Sequence, residues 1–145
     1  MNTFVFGGLV TNTEPDCPLS FSITLNGTEV LEKSVVTEPK NFSIEIPDDE
    51  QEHELRLVMS NKNKNNTVVD AQGNLVKNPM LDFKNLKFDN IDITLWTMAN
   101  SVYTHDFNGT QSEIADSFGG CMGCNGEVVF KFTTPIYVWL MDVVM

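Results

Sequence analysis

LSFSITLNGTEV, residues 19–30, decides the fold class. Leu19, Phe21, Ile23 and Leu25 alternate with Ser20, Ser22 and Thr24, the period-two pattern of a strand with one buried face. Asn26-Gly27 then supplies two residues that tolerate positive φ, the preferred pair for a two-residue hairpin turn. Thr28–Lys33 is the returning strand. Outward from this hairpin the pattern repeats. Phe42, Ile44 and Ile46 alternate up to Pro47, and Asp48-Asp49-Glu50 follows as a solvated turn. His53, Leu55, Leu57 and Met59 form the next alternating set.

Residues 60–79, SNKNKNNTVVDAQGNLVKNP, are rich in Asn and Lys and punctuated by Gly73 and Pro79. They predict a long loop with a small hairpin around Asp70–Asn74. Leu81 and Phe83 fall on one parity, Leu86 and Phe88 on the other. One strand can keep both pairs on a single face only through a β-bulge, placed near Lys84-Asn85. Ile91, Ile93 and Leu95 continue the run. From Thr97 to Gly126 the alternation weakens, which predicts loops, with QSEIADSF (111–118) long enough for one or two helical turns. Val128, Phe130 and Phe132 alternate strongly before Thr133-Thr134-Pro135 interrupts them. Ile136, Val138 and Leu140 then predict a last strand whose other face, Tyr137, Trp139 and Met141, is apolar as well.

No segment sustains a 3.6-residue period. The expectation is an all-β protein, a β-sandwich or jelly roll, with residues 1–145 as one domain. Its strands run over 19–95, a loop-rich insertion over 97–126 and closing strands over 127–142.

The chain has 145 residues, 41% of them hydrophobic, and a net charge of −11 from 20 acidic and 9 basic side chains. Nucleic-acid affinity depends on Lys and Arg displacing counterions, so a nucleic-acid partner is not expected. Anionic membranes are excluded on the same ground. Divalent cations and neutral polymers remain compatible. The N-terminal stretch has no basic region, and Gly7-Gly8 breaks its apolar run, so no signal peptide is expected.

Candidate chemistry is sparse. Cys121 and Cys124 have the C-x-x-C spacing of zinc ligands, but Cys17, His53 and His105 are the other Cys and His side chains able to complete a site. The flanking glycines suit a tight turn with thiols filling small spaces equally well. Asp70 and Asn74 surround Gly73, and Asp82, Asp89 and Asp92 follow. These oxygens suit calcium, and they also suit ordinary turns. His105 with Cys121 or Cys124 could be drawn as a dyad, yet no nucleophile motif supports it, so no enzyme is expected. Trp96, Tyr103, Phe107, Tyr137 and Trp139 gather late in the chain. Of these, Trp96, Tyr103, Tyr137 and Trp139 are the candidates for stacking on a sugar or anchoring an interface.

LSFSITLNGTEV, NFSIEIPDDEQEHELRLVMSN and LDFKNLKFDNIDI, within residues 19–93, resemble jelly-roll carbohydrate-binding modules, especially the small calcium-dependent xylan-binding type. The resemblance implies a calcium-ligating loop near Asp70–Asp82 and a polysaccharide ligand. YTHDFNGT (103–110) and MGCNGEVVFKFTTPIYVWL (122–140) are similar to small proteins of marine tailed phages, including cyanophages. That similarity implies a virion component made in the host cytoplasm, with other virion proteins or further copies of itself as partners. The function expected first is therefore a non-enzymatic capsid-decoration or tail-accessory module. The alternatives are a calcium-dependent glycan-binding module and a small zinc-binding protein built on Cys121 and Cys124.

Overall fold

Alternation becomes strand pairing almost everywhere that it was regular. The computed structural model describes residues 2–63, 66–106 and 112–143. The strands are β1 (Thr3–Asn12), β2 (Leu19–Leu25), β3 (Thr28–Val36), β4 (Lys40–Pro47), β5 (Glu52–Ser60), β6 (Val68–Val69), β7 (Leu75–Lys77), β8 (Leu81–Phe88) and β9 (Ile91–Asp92). Helix α1 (Thr94–Asn100) follows, then β10 (Val102–His105), β11 (Ile114–Ser117), β12 (Cys121–Met122), β13 (Gly126–Thr133) and helix α2 (Ile136–Val143). One antiparallel sheet runs β12-β8-β1-β4, with β9 on β8. The other runs β11-β10-β13-β5-β2-β3, and β6-β7 is a separate hairpin. The molecule is an all-β sandwich.

The β2–β3 hairpin turns at Asn26 and Gly27, whose φ values of 54° and 85° are what a two-residue loop demands. The bulge in β8 is present. Gly7 faces Lys87 while Leu9 faces Lys84, and Asn85 lies at φ 55°. The extra residue turns Leu81, Phe83, Leu86 and Phe88 to the same side, where all four are buried. Opposite the bulge stands Gly8. A Cβ there would come within 2.7 Å of Leu86 Cδ2 and 3.0 Å of Phe42 Cζ, so the bulged strand closes onto bare backbone.

The space between the sheets is filled by aromatic rings meeting edge to face or tilted, arrangements their quadrupoles favour over face-to-face stacking. Phe4 and Phe88 meet at 5.4 Å, and Phe88 reaches Phe132 across the layer at 5.0 Å. Phe6 faces Phe130 at 5.6 Å, and Phe21 faces Phe83 at 5.4 Å.

Three expectations are corrected. The residues after Thr134-Pro135 form α2, not a strand. Ile136 and Leu140 are buried, as either reading requires, but Val138 is 56% exposed and Trp139 packs inward, which only a helical period allows. Leu95 likewise lies on α1 and is 82% exposed instead of continuing a strand. The region predicted as loops holds β10, β11 and β12, and the stretch offered for helical turns carries β11, paired with β10 from Val102↔Ser117 to His105↔Ile114. These strands are too short to show alternation.

Candidate functional site

The β10 ladder on β13 covers Gly126–Val129 and stops. Beyond it, the two helices pack beside Phe130–Thr133. Ile93 is the N-cap of α1 and no side chain caps the helix, but the preceding Asp92 Oδ1 accepts from the Thr94 N–H at 2.8 Å in an Asx-type turn, which holds its carboxyl below the ordinary carboxylate value. The Thr94 hydroxyl then accepts from the Leu86 N–H at 3.0 Å, tying α1 to β8. This sets Trp96 against Trp139, edge to face at 4.8 Å, with Phe130 at 6.3 Å. Trp139 in turn sits 5.9 Å from Phe88 and 6.1 Å from Phe132.

Open grooves lie on both sides of this helix, and Trp96 lines both. One, of about 760 Å³, is walled by Phe83, Lys84, Asn85, Asp92 and Met98. The other, of about 570 Å³, lies along β13 and is lined by Arg56, Asn100, Val102, Val129 and Lys131. In the second groove Arg56 is held between two carboxylates. Its Nε donates to Glu54 at 2.6 Å and its Nη1 to Glu127. Those hydrogen bonds, Glu127 first, raise its already high pKa. The groove thus combines an indole, apolar floor residues and a planar ion-paired donor of fixed orientation, a surface able to stack a ring and hydrogen-bond hydroxyls.

The other sequence candidates are dispersed. Tyr103 is buried, its ring 4.5 Å from His105, and its hydroxyl donates to Cys124 O and accepts from the Cys124 N–H at 2.8 Å. Burial pushes the Tyr103 hydroxyl pKa up. Tyr137 is half exposed and bonds Asp89 through its hydroxyl. Phe107 lies outside the described residues. Cys121 pairs with Asp82 across β12–β8, and burial raises the pKa of both the Cys121 and Cys124 thiols. His105 pairs with Asp116 at 2.8 Å.

The oxygens named for calcium divide. Asp70 and Asn74 share the β6–β7 turn, where Asp70 Oδ1 already accepts from the Gln72 and Asn74 N–H groups, each at 2.9 Å. Asp82 belongs to β8, opposite Thr11 and Cys121. Among the described residues no group of three or more His, Cys, Asp or Glu converges as a metal site. Calcium needs six to eight oxygens, and Asp70, Asn74 and Asp82 do not converge into such a set among the described residues.

No protein-family model matches the chain, and no curated protein matches it. Two solved structures share the fold. The chain is similar to vCBM60 in complex with galactobiose, with a TM-score of 0.53 and 16% identity over 87% of this chain and 96% of that one. It is also similar to a selenomethionine form of vCBM60, described as linking two families of calcium-dependent carbohydrate-binding modules by circular permutation. There the TM-score is 0.51, with 16% identity over 89% and 90% of the two chains. The sandwich is similar in fold to the one in these carbohydrate-binding modules.

Sequence reasoning singled out Trp96 but missed Arg56, Asn100 and Lys131. A basic or amide residue facing outward from a strand or helix end carries no signal until its neighbours are known.

Proposed function

We propose that this chain is a non-catalytic carbohydrate-binding module that takes a neutral polysaccharide at the grooves flanking α1. The observation that carries this reading is Trp96, an indole set between two open grooves on a sandwich of carbohydrate-binding type. Neutral polymers are preferred because a chain of charge −11 repels polyuronates and sulfated glycans. One fold relative is described as linking calcium-dependent modules, so calcium enters here as a condition of the test and is assigned to no residue of this chain.

Affinity electrophoresis through gels containing xylan, galactan, mixed-linkage glucan or polygalacturonate tests it, each with calcium and with chelator. At least one neutral polymer should retard the protein, and polygalacturonate should not. Free migration in every neutral gel overturns the reading.

A second reading, a virion subunit contacting further copies or other particle proteins, draws on α2. Tyr137, Val138 and Met141 are 50%, 56% and 64% exposed on one short helix, an apolar surface of the kind that lattices cover. Sedimentation velocity separates the readings: a monomer at high concentration argues against self-assembly.

A further inference from the structure

Lys62 is buried at 4% exposure. Its approach is dictated by Asn61, whose φ of 76° reverses the chain just after β5 and whose side chain donates to Pro18 O at 3.0 Å. The Lys62 N–H donates to Asn125 Oδ1 at 2.9 Å, and Asn125 Nδ2 donates back to Lys62 O at 2.5 Å. The side chain then runs inward. Nζ donates to Asn78 Oδ1 at 2.9 Å, to Pro79 O at 2.9 Å and to Gly123 O at 2.6 Å.

Three short contacts to oxygen require three N–H bonds. A neutral amine has two, so the geometry is that of an ammonium ion. Its partners are all neutral amide or carbonyl oxygens, the donors that also surround hard cations. They come from the approach to β8 and from the turn between β12 and β13, while Lys62 itself follows β5. The turn is held from its other side by the Tyr103 hydroxyl on Cys124. Burial lowers the Lys62 pKa from its ordinary 10.5, and the nearby Cys124 and Cys17 thiols act in the opposite sense.

We infer that Lys62 is the resident cation of this loop cluster: its ammonium fills a cage built by Asn78, Pro79 and Gly123, and the emptied cage would take a free primary alkylammonium ion. A tethered cation organises these loops, so their geometry and the stability of the fold need no divalent metal. This inference is independent of glycan binding.

Thermal unfolding of the whole chain tests it. Excess chelator or millimolar calcium should leave the wild-type Tm within about 1 °C. Lys62→Met strips Pro79 O and Gly123 O of their donor and leaves Asn78 Oδ1 with the Thr67 hydroxyl at 3.0 Å, and should lower Tm by roughly 10 °C. Lys62→Ala should fall comparably and recover several degrees in ethylammonium or propylammonium chloride, with no recovery in sodium or tetramethylammonium chloride at equal ionic strength. Chelator-induced loss of wild-type Tm restored by calcium overturns the inference. So does a Lys62→Met Tm within about 2 °C of wild type, or equal response to all four salts. Should both variants fail to fold, nitrogen-15 side-chain spectra of the wild type decide. A slowly exchanging lysine ammonium at neutral pH, absent from Lys62→Arg, supports the assignment, and its absence from the wild type refutes it.

Discussion

Replacing Trp96 with alanine separates packing from recognition. A fully buried tryptophan cut to alanine costs about 3–5 kcal/mol. Trp96 is half-buried, since one flank lines the grooves, so roughly half of that, about 2 kcal/mol, is at stake in burial. The edge-to-face contacts with Trp139 at 4.8 Å and Phe130 at 6.3 Å add about 0.5–1 kcal/mol. The expected loss is about 2–3 kcal/mol, or roughly 5–10 °C in Tm, which a domain stable by 5 to ~15 kcal/mol survives. A central aromatic anchor is worth about 2 kcal/mol or more in binding, so affinity for the retarding polysaccharide should fall at least about 30-fold. Urea unfolding gives the first quantity and calorimetry on the folded variant the second. Trp139→Leu is the control: Trp139 supports Trp96 yet lines neither groove, so it should lose similar stability and only a few-fold in affinity. Undiminished binding by folded Trp96→Ala would show that the grooves around α1 are not the site. A stability loss below about 0.5 kcal/mol would refute the packing estimate.

Asn12 is buried and donates to Cys17 O at 2.8 Å and Val36 O at 2.9 Å, while its Oδ1 accepts from the Glu14 N–H at 2.9 Å. Asn12→Ala should therefore cost about 2–4 kcal/mol of unfolding free energy, read by urea titration. Gly126→Ala would set a Cβ 2.2 Å from Thr104 O and 3.0 Å from His105 Cβ, and should cost about 2–3 kcal/mol, whereas Gly119→Ala, with nothing within 4 Å, should be nearly silent in the same melt. The folded pKa of Asp92 lies below its ordinary 3.8 because of the Thr94 bonds, so its contribution is complete above about pH 4 and disappears as pH falls through the lowered value. Tryptophan fluorescence should report loosening of α1 in that acid window, and Asp92→Asn should remove that part of the pH dependence. Val138→Asp, at a 56% exposed position, should cost under about 0.5 kcal/mol by thermal melt, while Leu140→Asp should unfold the chain.

The strands that sequence revealed are those whose two faces meet different media. β4, β5 and β13 each place large apolar side chains on the core side at every second residue, β8 does so on either side of its bulge, and β2 does so although Ser20 and Ser22 on its other face are buried too. β1 was not visible, although Phe4, Phe6 and Val10 are buried, because Gly7-Gly8 interrupts the alternation where the β8 bulge closes against it. The helices failed for a different reason. Ile136 and Leu140 are four apart, and a separation of four satisfies both a period of two and a period of 3.6. Val138 and Trp139 distinguish the two, and both are apolar side chains that fit either. At α1 the N-cap is Ile93, which carries no capping side chain, so the Ile91-Ile93-Leu95 alternation read as strand.

The groove around Trp96 was half legible for the same reason. An indole announces itself in any context, whereas Arg56 and Glu127 become a fixed donor only when β5 and β13 lie side by side with Val129 opposite Arg56. Lys62 lies beyond any pattern. Set in an Asn- and Lys-rich stretch, it has the surroundings of a solvated loop cation, and hydropathy assigns it to water. What reverses that assignment is the positive φ of Asn61 together with oxygens contributed by residues 78, 79 and 123. A buried charge is tolerated only where its hydrogen bonds are complete, and completeness is a property of tertiary structure. The acidic surface and the aromatic core can therefore be read from composition. The two cations that shape the loops and the groove cannot, because each is defined by acceptors distant in the chain.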